Sequence, residues 1–263
     1  MIWDILIRAA VVGILLSVLL SVMSYFVVLR KMTFAGVGIA HSAFGGIALS
    51  FLLGLGGYLL PIAFSVLSSL LIAFMYKKGK MSEDSAIDVI FVFSMAFGVF
   101  ILSMSDGYSA NMLGILFGNI LSVSYVDFIL SLFVFVFGFL FIAYYFSHFQ
   151  LMSYNEELAY ISGVRVDVLY YMFWVVLSII IVLAIKLIGI ILVNAFLVLP
   201  TLVGLNLAKN YKNIVFVSML SSTISIIAGI SIAYLLDTPA GATIVLVFIL
   251  LWVFSIAYNK IKT

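Results

Sequence analysis

The chain has 263 residues, 67% of them hydrophobic and 8% charged, with a net charge of +2. A soluble domain carries about 25% charged residues, so this composition excludes a soluble globule, and the small net charge argues against a nucleic-acid partner. There is no cysteine, which excludes disulfides and thiolate ligands and leaves imidazole, carboxylate, amide, hydroxyl and backbone oxygen for any metal contact.

A spanning helix needs roughly 20 apolar residues. The first such run covers 5–29 and is followed by Arg30 and Lys31 rather than by a small-residue cleavage site. It therefore reads as an uncleaved first span, not as a signal peptide. The next run, 34–54, is rich in glycine. Gly38, Ser42, Gly46, Ser50 and Gly54 recur every fourth residue, which on a helix makes a small-residue stripe that lets another backbone approach closely. His41 lies beside the stripe, about 60° away at 100° per residue. As packing, the stripe holds a neighbouring helix and His41 bonds a carbonyl. As chemistry, His41 is a transient cation ligand on a translocation path, with Ser42 lining it.

A third span is expected at 58–76 and a fourth at 87–105. In front of the fourth, Ser82 is placed to cap a helix, with Glu83 and Asp84 in its first turn and Asp88 one turn on. Acids there complement the helix dipole and solubilise the span end. The segment 109–122 is too short to span and reads as a half-helix or re-entrant piece. A fifth span at 127–147 leads into the most polar stretch, LMSYNEELAYISGVRVD, 151–167. There Asn155 is a candidate N-cap, Glu156 and Glu157 fill a first turn, and Gly163 follows as the C′ residue. Tyr154, Leu158 and Ile161 would share one apolar face. A short surface helix at about 154–163 is expected, either as a plain connection or as a docking element for a partner.

The remaining spans are 168–186, 188–208, 213–236 and 240–259. In 188–208, Asn194 is a lone amide that either bonds across helices or lines a pore, and Pro200 is expected to break or kink the helix, exposing carbonyls that could line a pore. Asp237, Thr238 and Pro239 form a turn before the last span, with Asp237 or Thr238 expected to cap it. Alternatively, Asp237 is an acidic contact for an arriving cation or delivery protein. The runs at 34–54 and 188–208 are short and interrupted, so about seven to nine spans are expected, all-α, in one transmembrane domain over 1–263.

With the N-terminus outside and nine crossings, Arg30, Lys31, Lys77, Lys78, Lys80, Arg165, Lys209, Lys212, Lys260 and Lys262 all fall inside. That is ten of the 12 basic residues, the arrangement the positive-inside rule favours. The segment 109–122 must then leave and return on the outer side, and the C-terminus is cytoplasmic. No Gly-x-x-x-x-Gly-Lys-Ser/Thr sequence occurs, so ATP is not bound by that route.

Together these stretches resemble the transmembrane permease of ABC importers for zinc, manganese or iron. MTFAGVGIAHSAFGGIAL is similar to the family's Met-Ser-x-x-Gly-Asp-x-Leu-Ser-His segment, and SEDSAIDVIF to its Glu-Asp-x-Ala-Ile stretch. LFGNILSVS, NEELAYISGV, LIGIILVNAFLVLP and LLDTPAGATIVLV follow in the family's order. The chain departs from the pattern at Val37, where the family has an acid, at Ala40, where it has serine, at Asn155, which is often aspartate, and at Asn194, which replaces serine.

The resemblance implies a broken-helix permease fold in the prokaryotic cytoplasmic membrane. It implies a homodimer, two cytoplasmic ATP-binding subunits and an extracytoplasmic metal-binding protein. The chain itself would be no enzyme and would hold no permanent cofactor, only a passing divalent metal ion. Residues 155–163, with Asn155, Glu156, Glu157, Leu158, Ala159 and Gly163, would match the coupling region. The alternatives are a stand-alone secondary metal-ion transporter and an ABC permease for a metal chelate.

Overall fold

Lipid offers no hydrogen bonds, so each apolar run must satisfy its own backbone, and the helix is the form that does so. The computed structural model describes residues 2–55, 57–79, 81–104 and 124–262, with side chains between residues 7 and 260 of those ranges. The described residues form ten helices and no strand: α1 (Ile2–Leu29), α2 (Ala35–Leu52), α3 (Leu59–Gly79), α4 (Glu83–Ser103), α5 (Tyr125–Tyr154), α6 (Glu156–Ile161), α7 (Val166–Ile188), α8 (Ile190–Leu207), α9 (Tyr211–Leu236) and α10 (Ala240–Lys262). Nine of them, all but α6, are long and apolar enough to cross a membrane. The two doubtful runs both form full helices of 18 residues. Each is about 27 Å long at 1.5 Å per residue, close to the thickness of a hydrocarbon core. The chain is an integral, multi-pass, all-α membrane protein.

Local sequence sets the ends. Ser82 Oγ accepts the Ser85 amide at 3.2 Å and caps α4. Ser124 and Asp127 form a reciprocal capping box at the start of α5. Gly189, at φ 85° and ψ 159°, separates α7 from α8 with no intervening loop.

Helices α1 and α7 are the most buried spans. Tyr170, Phe173 and Trp174 of α7 are fully enclosed. Helices α5 and α10 are peripheral, and residues such as Phe133, Phe137, Leu250 and Phe254 face outward. Polar contacts fix how the helices run. The end of α1, the end of α3, the start of α4, the end of α5 and the start of α7 meet around Arg30. The start of α5, the end of α7 and Tyr58, just before α3, meet around Lys186. Thus α4 leaves the Arg30 end and α5 returns to it. The expected piece at 109–122 lies outside the described residues.

Two expectations are corrected. Of the break or kink expected at Pro200, the break does not occur, because helix α8 runs through it; the break falls at Gly189, whose backbone angles only glycine tolerates well. Asp237 does not cap α10. It closes α9 in the left-handed conformation, φ 51°, while the Thr238 amide donates to the Ala233 carbonyl at 3.1 Å. Aspartate is one of the few residues that accepts that geometry.

Candidate functional site

Helix α2 is built for close approach. A methyl group on Gly46 would sit 2.6 Å from Pro61 Cα and 2.7 Å from the Leu60 carbonyl oxygen, so α3 lies directly on this glycine. Gly38 takes the Ile87 side chain of α4, whose Cγ2 would lie 2.5 Å from a methyl group there. Ser42 is fully buried, donates to the Gly38 carbonyl at 2.9 Å and meets Ser94 Oγ of α4 at 3.3 Å. Ser50 Oγ donates to the Gly46 carbonyl at 3.0 Å. Gly54 lies beyond the helix at φ 63° with open space around it. The stripe is thus a packing seam against α3 and α4, and Ser42 belongs to that seam.

His41 lies off the seam and is half-buried. Its ring meets the edge of Phe91 of α4 at a centroid distance of 4.8 Å. Its Nδ1 is buried without a hydrogen-bond partner. One turn before Phe91, Asp88 is exposed, as are Val92 and Phe93, so His41 borders an open flank of α4. Asn194 of α8 places its buried Oδ1 against Gly36 of α2, also without a partner. Pro200 is buried and its carbonyl accepts Ser218 Oγ of α9 at 3.0 Å. Among the described residues, no three His, Asp or Glu side chains converge.

At the Arg30 end, α6 is a six-residue helix. Asn155 Oδ1 accepts the Leu158 amide at 3.0 Å and caps it. At its far end the Val164 amide donates to Ala159 and the Gly163 amide to Tyr160, with Gly163 at φ 81°, a Schellman closure. Ala159 is buried and anchors the helix; Glu157 is exposed. Tyr154, Leu158, Tyr160 and Ile161 are all exposed, three of them by 75% or more.

Beneath α6 lies a network that sequence reading missed. Arg30 Nη2 donates to Glu83 Oε1 at 2.9 Å and to Glu156 Oε1 at 2.8 Å. Its Nη1 reaches the Met152 carbonyl at 3.5 Å. Tyr170 Oη donates to the same Glu83 oxygen at 2.7 Å, and the guanidinium lies over the Tyr170 ring. Lys77 joins Glu156 at 3.4 Å and Asp167 at 2.9 Å. Burial disfavours the charged guanidinium, but Glu83 and Glu156 outweigh it and hold its pKa above the ordinary value. Glu83, expected as a solvated cap residue, is instead buried. The positive-inside pattern placed Arg30 and Lys77 at one membrane face; nothing in it paired them with Glu83, Glu156 or Tyr170.

At the opposite end, a cavity of about 470 Å³ lies between α2, α3 and α7, lined by Ala43, Ile47, Phe51, Pro61, Val182 and Ile185, with Tyr58 and Lys186 beside them. Tyr58 Oη donates to Asp127 Oδ1 at 3.0 Å, and Lys186 Nζ lies 3.5 Å from the same oxygen and over the Tyr58 ring. Asp237 is exposed at a separate turn.

The model of the ABC 3 transport family matches residues 2–259. The chain belongs to this family. It is 31% identical over 239 residues to a probable metal transport system membrane protein of Thermotoga maritima, covering 91% of this chain and 84% of that one. It is 30% identical over 248 residues to the manganese import system permease protein ScaB of Streptococcus gordonii, covering 94% and 89%. Its fold matches a chain of PsaBC from Streptococcus pneumoniae, solved in complex with Fab, with a TM-score of 0.82 at 28% identity, covering 97% of this chain and 94% of that one.

Proposed function

We propose that the chain is the permease subunit of an ATP-driven importer for a divalent transition-metal ion such as manganese, zinc or iron. The observation that carries this reading is α6, a helix capped at both ends that, with Tyr154 at the end of α5, leaves Leu158, Tyr160 and Ile161 exposed at the Arg30 end of the nine described spans. An exposed apolar knob outside the spans is costly unless a partner covers it. A cytoplasmic ATP-binding subunit with a matching groove is that partner, and ATP hydrolysis resides there. The Arg30 end then faces the cytoplasm, the N-terminus lies outside, and a metal-binding protein delivers cargo to the Lys186 end, where Asp237 is exposed. Two copies of the chain form the path, with His41 as a transient metal contact and Asn194 as a second polar atom on α8. One imidazole on the path from each chain gives weak binding, which suits an ion that must be released.

The test is uptake into proteoliposomes containing the chain, its ATP-binding subunit and its metal-binding protein, for wild type and His41→Ala. Uptake of one metal that collapses in the variant, with assembly and ATP hydrolysis retained, is the expected result. Wild-type uptake that His41→Ala leaves unchanged returns His41 to a packing role. No ATP-dependent uptake of any metal by wild type refutes the importer reading.

A further inference from the structure

Arg30 and Glu83 form the most enclosed ion pair among the described residues, with side chains 6% and 9% exposed. Solvated span-end charges have no reason to be there. Burying two charges costs more than burying an apolar pair of similar volume, so stability alone does not explain the arrangement. Its connectivity does. One nitrogen of Arg30 holds Glu156, the first residue of α6, and Glu83, the first residue of α4. Tyr170 ties Glu83 to α7, and Lys77 of α3 grips Glu156 from the other side. Glu83 lies eight residues before Phe91, about 12 Å along α4, and Phe91 is the ring that meets His41.

We infer that Arg30 is a positioning residue at the joint between α6 and the spans: it clamps Glu156 to Glu83, so that displacement of α6 is delivered to α4 and α7, and along α4 to the flank beside His41. This rests on the docking role proposed for α6. The joint is a specific claim about Glu83, which lies across Arg30 from the docking helix and takes up α6 motion through the guanidinium. A planar fork can hold two carboxylates in fixed relative positions, which a lysine ammonium cannot do as well.

The experiment measures metal imported per ATP hydrolysed in the reconstituted complex, for wild type, Glu83→Gln, Glu156→Gln and the double variant. Each single variant is expected to lower the ratio about tenfold, a size typical of coupling between sites, while Glu83→Gln, outside the docking helix, keeps assembly and ATP hydrolysis within about twofold of wild type. The double variant is expected to be no worse than the worse single one, because both substitutions disable one clamp. Where Glu83→Gln does not assemble, Tyr170→Phe, which removes only the hydroxyl donor to Glu83, carries the same test with the same expected direction. A ratio unchanged in Glu83→Gln or Tyr170→Phe, import and hydrolysis falling in proportion, or losses that multiply in the double variant each overturn the joint while leaving the importer reading intact. A wild-type complex that imports no metal overturns both.

Discussion

Replacing Gly189 by alanine tests whether the α7–α8 break is a built feature. At φ 85° and ψ 159° the residue occupies a region that is essentially glycine-only. Ile185, Leu187, Ile188 and Ile190 around it are all buried, so the junction has little room to relax. A strained residue of this kind costs about 1–3 kcal/mol. The control is Gly79→Ala at the end of α3. There an added methyl meets nothing closer than Met81 Cγ at 3.6 Å. Removing glycine flexibility at a compatible helical site is worth about 0.4–1 kcal/mol in the stabilising direction. Thermal unfolding of the purified protein in nanodiscs, followed by tryptophan fluorescence, reads both. Gly189→Ala should melt below wild type and Gly79→Ala at or above it. Equal melting temperatures for the two variants would refute the assignment of the break to Gly189.

Gly46→Ala should destabilise by about 1–3 kcal/mol, because overpacking here meets the backbone of Pro61 and Leu60 rather than a side chain that can rotate away; the same unfolding assay checks it. Asn194→Leu removes a buried oxygen without a partner, a group that costs about 1–3 kcal/mol when unsatisfied. Its melting temperature should hold or rise while metal uptake falls, and a fall in both would make Asn194 a structural residue. At the Lys186 end, Asp127→Ala removes the acceptor for the Ser124 amide and for Tyr58 and should cost about 1 kcal/mol. Lys186→Met, at a side chain 55% exposed and 3.5 Å from its partner, should stay within about 0.5 kcal/mol of wild type. The reverse order in chemical denaturation would show that the ion pair, not the capping box, holds that end.

Features governed by local chemistry were legible in the sequence. Asn155, Glu156 and Gly163 specify α6 through a side-chain cap at one end and a left-handed residue at the other, and both lie within ten residues. The four-residue spacing of Gly38, Ser42 and Gly46 gave the seam, because helical periodicity alone places them on one face. What it could not give was the seam's partners or which neighbour of the stripe stays accessible. Proline at 200 misled because chain chemistry forbids one hydrogen bond there without forbidding the helix, whereas Gly189 carries the break with no motif to announce it. The Arg30 network was hidden for a different reason. Its members stand at positions 30, 77, 83, 156, 167 and 170, and only the packing of separate spans brings them within 3.5 Å. A glutamate at a helix start has a sufficient local explanation as a cap-region acid, so nothing in the sequence asked for a second one.

The geometry of α2 also bears on how firmly an ion is held. Val37 precedes His41 by four residues, so the two share one face of the helix, and both are half-buried. An acid at 37, as in the sequences this segment resembles, would stand one turn from the imidazole and could share a cation with it. Here that position offers only methyl groups. Each chain therefore brings a single nitrogen-containing ring to the flank of α4, with the nearest acid on that flank, Asp88, one turn from Phe91 on the other helix. On the proposed reading, a cation passing His41 would keep most of its remaining ligands as water or backbone oxygen. Such a contact selects weakly between first-row metals, whose preferences are expressed through complete ligand sets. On the proposed path, discrimination then falls to whatever loads it.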